Sequence, residues 1–110
     1  MIKLSVCIPA YNRQEFMEPL LDSILAQDYE DLEIVICEDK SPQREEIKKI
    51  ISAYILENTL TSTKIKYFEN EINLGYDRNF KQLMDKSSGE FCLFMGNDDI
   101  LAEGAIKRIL

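Results

Sequence analysis

The chain has 110 residues, and its 20 acidic against 13 basic side chains leave a formal net charge of −7. That length holds one domain at most, and a hydrophobic fraction of 45 % is enough for a core, which excludes intrinsic disorder. So acidic a surface repels phosphate backbones and anionic headgroups, so no nucleic acid is expected as a partner, and a phosphorylated substrate needs a cation to screen the carboxylates.

Lys3 to Ile8 is a short run of Val, Ile and Leu stopped by Pro9, which predicts a buried strand and then a loop. Residues 14–27 place Phe16, Met17, Leu20, Leu21, Ile24 and Leu25 on one helical face. Pro19 removes a backbone donor there, so the helix is expected to kink or to start later than Gln14. Leu32 to Cys37 reads as a second buried strand ending at Glu38-Asp39. Ser41-Pro42 then predicts a helix start, with Ser41 as N-cap and Pro42 at the first helical position. Ile47, Ile50, Ile51, Tyr54 and Ile55 follow the helical spacing closely.

After a polar linker over residues 58–63, Lys64 to Glu69 alternates as a third strand, and Asn70 to Gly75 is a turn. Tyr76, Phe80, Leu83 and Met84 define a third helical face, broken by Ser87-Ser88-Gly89. Phe91 to Met95 is a fourth strand, ending in Gly96-Asn97-Asp98-Asp99. A last helix starts near Ala102, with Ala105, Ile106, Ile109 and Leu110 on one face. The chain is read as a fragment that stops inside that helix. Strands alternating with helices predict an α/β fold with a mostly parallel sheet.

No apolar run approaches the roughly 20 residues of a membrane-crossing helix, and no signal peptide is read, so no transmembrane segment is expected in this chain. Cys7, Cys37 and Cys92 are distant from one another, each in an apolar run, and read as small buried hydrophobes of a reducing cytosol. There is no histidine, which excludes His-based triads and HExxH metalloproteases.

Ligands of open α/β sheets bind at the carboxyl ends of the strands. There the chain places Pro9-Ala10-Tyr11-Asn12-Arg13, then Glu38-Asp39, then Asn97-Asp98-Asp99. Four carboxylates on one edge are costly unless a cation compensates them, and oxygen ligands of this kind suit Mg2+ or Mn2+ carrying a diphosphate. Each signal has a bland counterpart. Glu38-Asp39 and Asp98-Asp99 could cap helices, Tyr11 could pack on the sheet edge, and Arg13 could be a solvated charge.

The segments IPAYNR, IVICEDKSP, ENEINLGYDRNF and FMGNDDIL, in that order, resemble the motifs of the family 2 glycosyltransferases: an IPxYNR-type opening, a VDDGS-type loop, an NxGxxxARN-type segment and a DxD-type motif. The resemblance covers nearly the whole chain. It implies that residues 1–110 are the N-terminal nucleotide-sugar-binding part of a GT-A fold, a Rossmann-like half with helices flanking the sheet. It implies a nucleotide site at Pro9, Ala10, Tyr11, Arg13, Glu38, Asp39, Gly75, Arg78 and Asp98, with Tyr11 stacking on the base and Asp39 accepting a hydrogen bond from it. Asp99 is the implied ligand of Mn2+ or Mg2+.

The implied reaction moves a sugar, with inversion, from a nucleotide-diphosphate donor to a hydroxyl of a saccharide or lipid-linked saccharide, as in bacterial surface polysaccharide synthesis. The catalytic base is expected in the absent C-terminal part. The implied location is the cytoplasm, or the inner membrane face through that part or a partner. Two departures stand out. Gly96 replaces the first acid of a DxDD run, and Lys40 replaces the Gly of DDGS, so the backbone at Lys40 is expected to avoid the conformations glycine tolerates. A domain that binds nucleotide sugar without catalysis, and a nucleotidyltransferase, are the alternatives.

Overall fold

The computed structural model describes residues 2–27, 29–58, 63–96 and 99–109. Four strands, β1 (Leu4–Ala10), β2 (Leu32–Glu38), β3 (Lys64–Glu69) and β4 (Phe91–Phe94), form one sheet in the order β3-β2-β1-β4. Every pairing is parallel, with Leu4 opposite both Leu32 and Phe91. Parallel neighbours need crossover segments, and helices supply them: α1 (Met17–Leu25) after a 3-10 turn at Gln14–Phe16, α2 (Arg44–Glu57) and α3 (Tyr76–Lys86). The short α4 (Ala105–Ile109) follows β4.

Side chains alternate between the two faces of a strand, and both faces are covered here. Leu4, Val6, Ile8 and Ala10 of β1 join Leu32, Ile34 and Ile36 of β2 in a core with Leu20, Leu21 and Ile24 of α1 and Ile47 and Ile51 of α2. On the opposite face Cys7, Val35 and Cys37 pack with Leu83 of α3, and Phe68 and Phe94 border them. Burial in these apolar pockets pushes the Cys7 thiol up to about 12 and the Cys37 thiol up to about 11. Both are inert structural thiols.

Several local expectations are corrected. Pro9 does not stop β1, which runs on to Ala10 and pairs Pro9 with Cys37. Beyond Cys7 only β2 flanks the strand, so a missing N–H is tolerated there. The expectation at Pro19 holds in its second form: α1 starts at Met17, later than Gln14, which puts the proline in the first turn. Ser41 is not the N-cap of α2. That position is Gln43, and Ser41 contributes its carbonyl to the Arg44 N–H instead.

In α3 the buried residues are Asn79 and Leu83, while Tyr76 and Met84 are exposed. The helix is rotated from its apolar phase because Asn79 is drawn inward by hydrogen bonds. Cys92 is exposed, since β4 is the edge strand. The last helix starts three residues later than predicted, and the N–H of Ile106, which is fully buried, donates to Gln27 Oε1.

The sheet's amino-terminal end is tied by a buried acid. Glu33 accepts hydrogen bonds from the Ser5 hydroxyl and from the Ser88 N–H, and lies 3.0 Å from the Lys66 ammonium. The Gly89 N–H donates to the Ser5 hydroxyl at 2.9 Å, and a Cβ on Gly89 would lie 2.6 Å from that oxygen. The Ser-Ser-Gly break is thereby a docking point for the α3–β4 loop as well as the end of α3.

Candidate functional site

At the carboxyl ends of β1 and β2 lies a cleft of about 380 Å³. Its lining comes from three stretches of chain: Pro9 and Tyr11 after β1, Asp39 after β2, and Asn73, Gly75, Tyr76 and Asn79 around the start of α3. Tyr11 and Tyr76 are both exposed. Tyr76 packs against Phe80 in an edge-to-face contact at 4.4 Å between ring centroids, and Phe80 lies 4.6 Å from Phe94. This run of rings fixes Tyr76 against the β4 side of the sheet.

Asp39 is the organising residue of the floor. It is 5 % exposed, and its Oδ1 accepts from Asn70 Nδ2 at 2.9 Å and from the Leu74 N–H at 2.7 Å. Its Oδ2 accepts from the Gly75 N–H at 3.0 Å. The carboxylate therefore caps the start of α3 from another element, where the unpaired amides and the helix dipole favour negative charge. Its own N–H donates to the Ala10 carbonyl, and its carbonyl accepts from Asn73 Nδ2. Asn70 also donates to Asn79 Oδ1, and Asn79 Nδ2 donates to the Cys37 carbonyl. Gly75 has φ 84° with ψ 166°, a region open essentially to glycine alone, which is why glycine stands at this cap.

Of the residues predicted to bind nucleotide, the fold brings Pro9, Tyr11, Asp39 and Gly75 together in the cleft. Ala10 is buried in the α1/α2 core and reaches the site only through its carbonyl. Glu38 is separated from its neighbour Asp39: alternation along β2 sends it to the opposite face. There its Oε1 and Oε2 accept the Lys40 and Ser41 N–H groups at 2.8 and 2.9 Å. Arg13 sits in the left-handed region at the start of the 3-10 turn, and Arg78 is exposed on α3; neither lines the cleft. Asp98 lies outside the described residues. Of the four predicted carboxylates, Asp39 lines the cleft, while Glu38 turns to the opposite face.

Lys40 also departs from expectation. It takes φ 57°, the left-handed conformation it was expected to avoid. The Glu38 carboxylate, gripping two successive amides, holds the loop in this shape and offsets a cost of roughly 1–2 kcal/mol for a residue with a Cβ.

Asp99 closes its own turn. Its Oδ2 accepts from the Gly96 N–H at 2.8 Å, and its N–H donates to the Gly96 carbonyl. Among the described residues no group of three Asp, Glu, Cys or His side chains could hold a metal ion. By itself Asp99 offers one hard oxygen ligand of the kind Mg2+ or Mn2+ prefers.

Sequence reasoning missed Asn70, Asn73, Asn79 and Tyr76. Asn79 carried a signal, a short amide three residues after Tyr76 and four before Leu83 on a face otherwise apolar. Tyr76 gives no such signal, because aromatic spacing on a helix usually marks packing. Among the described residues, no helix is long and apolar enough to cross a membrane.

Comparison with known proteins places this geometry. The chain is 35 % identical over 103 residues to the abequosyltransferase RfbV of Salmonella typhimurium, covering 94 % of this chain and 30 % of that protein. It is 35 % identical over 111 residues to the GalNAc(5)-diNAcBac-PP-undecaprenol beta-1,3-glucosyltransferase of Campylobacter jejuni, covering all of this chain and 34 % of that one. The chain thus spans about a third of the length of these relatives.

Among solved structures, S. aureus TarS (residues 1–349) in complex with UDP superposes with a TM-score of 0.84 at 27 % identity, over 98 % of this chain and 31 % of that one. The mannosyltransferase PcManGT of Pyrobaculum calidifontis, in complex with GDP-Man and Mn2+, shares the fold at a TM-score of 0.80 and 20 % identity, over 93 % of this chain and 29 % of that one. The sequence profile described as glycosyl transferase family 2 matches residues 5–110, and the chain belongs to that family.

Proposed function

We propose that residues 1–110 are the donor-binding part of an enzyme that transfers a sugar from a nucleotide-diphosphate sugar to an acceptor hydroxyl. The observation that carries this reading is the cleft itself. An exposed tyrosine and a buried, pre-organised carboxylate meet at the carboxyl edge of a parallel sheet, in a fold shared with a protein solved with UDP. The base lies against Tyr11, Asp39 accepts a hydrogen bond from it, and the diphosphate extends toward Asp99.

Bound Mn2+ or Mg2+, held by Asp99 and the phosphates, supplies charge neutralisation of the leaving diphosphate. The chain's own part is to seat and orient the donor so that the acceptor oxygen attacks from the face opposite the leaving group, which inverts the anomeric centre. The base that deprotonates the acceptor is a carboxylate of the C-terminal part. The acceptor is a saccharide or lipid-linked saccharide and the process is bacterial surface polysaccharide synthesis, supported by the lipid-linked substrate in the name of the Campylobacter relative. The setting is the cytoplasm, at the inner membrane face when the acceptor is lipid-linked.

Gly96, in place of a carboxylate, favours a second reading in which the domain binds nucleotide sugar without turnover. Nucleoside diphosphate release by the intact protein separates the two. Turnover that requires Mn2+, stops with EDTA and falls at least about 100-fold in Asp99→Asn supports the enzyme. Binding with no release under any acceptor tried supports the second reading.

A further inference from the structure

We infer that Ser23 and Gln27 are positioning residues of the donor site, holding Asp99 in place through the chain that follows it. The inference rests on the reading of Asp99 as the metal ligand above. β4 ends at Phe94, and the Met95 N–H donates to the Cys7 carbonyl as the chain leaves the sheet. Asp99 braces its own turn through the Gly96 N–H, but a bond inside a turn does not fix that turn relative to the sheet. The helix that follows, α4, has five residues, too few to hold its shape without outside contacts. Its placement has to come from another element, and α1 supplies it.

Ser23 lies in the last turn of α1, and Gln27 stands two residues past its end. Ser23 Oγ accepts the N–H of Leu101, two residues beyond Asp99, at 2.9 Å. Gln27 Nε2 donates to the Ala102 carbonyl at 2.8 Å, and its Oε1 accepts the Ile106 N–H at 3.2 Å. One side chain thus grips a carbonyl before α4 and an amide inside its first turn, which takes a donor and an acceptor on the same group. The clamp is itself held. Gln27 is 8 % exposed, its Nε2 also donates to the Ser23 carbonyl, and the Ser23 hydroxyl donates to the Leu20 carbonyl. Behind them Leu20, Leu21 and Ile24 are fully buried in the core that Ile106 joins. Asp99 is therefore tied, over two residues of chain, to a helix packed into that core. A metal ligand tolerates little displacement, so the contacts that support it govern affinity as well.

The test is Mn2+ titration of the intact protein, read from the electron paramagnetic resonance of the free ion, with UDP, dTDP, CDP and GDP present in turn. The nucleotide that gives the tightest Mn2+ binding is carried to Gln27→Leu, Ser23→Ala and Ser23→Thr, and urea midpoints show that each variant is folded. Gln27→Leu and Ser23→Ala are expected to weaken Mn2+ binding by at least about tenfold. Ser23→Thr, which keeps the hydroxyl, restores it, and nucleotide binding in EDTA stays unchanged because Tyr11 and Asp39 stand on other elements. Lowered urea midpoints with unaltered Mn2+ affinity in the folded variants overturn the positioning role and leave Asp99 as the ligand. Should Gln27→Leu fail to fold, the serine pair decides, and equal Mn2+ affinity in Ser23→Ala and Ser23→Thr overturns the inference. Absence of Mn2+ binding by the unaltered protein with every nucleotide overturns the metal reading, and the positioning role with it.

Discussion

Lys40 holds a left-handed backbone because Glu38 clasps its amide and the next one. Glycine reaches that conformation without the Cβ clash but loses more chain entropy on folding. The clash is the larger effect, so Lys40→Gly is expected to raise unfolding stability by about 0.5–1 kcal/mol in urea titration. A loss of stability would show that the lysine side chain contributes more than its backbone costs. The contrast with Gly75 is instructive. There a carboxylate, Asp39, likewise grips two successive amides, but the required ψ near 166° belongs to glycine alone. Two loops of similar appearance in the sequence thus solve a positive φ in different ways.

Among the elements, the bond between the α3–β4 loop and the sheet depends on Glu33. Burial alone would raise this acid, but the Ser5 hydroxyl, the Ser88 amide and Lys66 outweigh it and hold its pKa below the ordinary value. A depressed folded-state value means that the unfolded chain binds the proton first. The stabilisation is therefore whole above the ordinary glutamate value of about 4.3 and drains away as pH falls through the folded value. Glu33→Gln is expected to cost about 3 kcal/mol at neutral pH, leaving Lys66 without its charge partner, and to flatten the loss of stability between about pH 5 and pH 3. Urea midpoints of both proteins across that range give the check.

At this scale the sequence was most legible. Apolar runs and helical spacing located all four strands and the helices, because burial on both faces leaves an uninterrupted hydrophobic signature. The errors fell where a hydrogen bond overrode a pattern: Asn79 rotated α3, and Glu38 displaced the N-cap of α2. The site was half legible. Loop order brought Pro9, Tyr11, Asp39 and Gly75 to one cleft, but strand alternation separated Glu38 from Asp39, and no spacing rule announces a buried asparagine pair.

For the molecule as a whole, the covered sheet predicts a sharp difference among the thiols. Cys7 and Cys37 lie fully buried with their pKa values raised by burial, whereas Cys92 is exposed on the edge strand. At pH 8 a maleimide is expected to modify Cys92 at once and the other two only at the rate of unfolding. Mass spectrometry of the labelled protein reads this directly, and prompt labelling at all three positions would contradict a sheet closed on both faces.

The Asp39 network has a consequence for how the protein assembles. It joins a carbonyl at the end of the first strand to an acid after the second and to amides and amides' side chains from the stretch between the third strand and the third helix. Neighbouring positions in sequence cannot make any of it early, since each contact waits for a crossover to close. The cleft is accordingly expected to form late, and a nascent chain that has not completed its third helix lacks it.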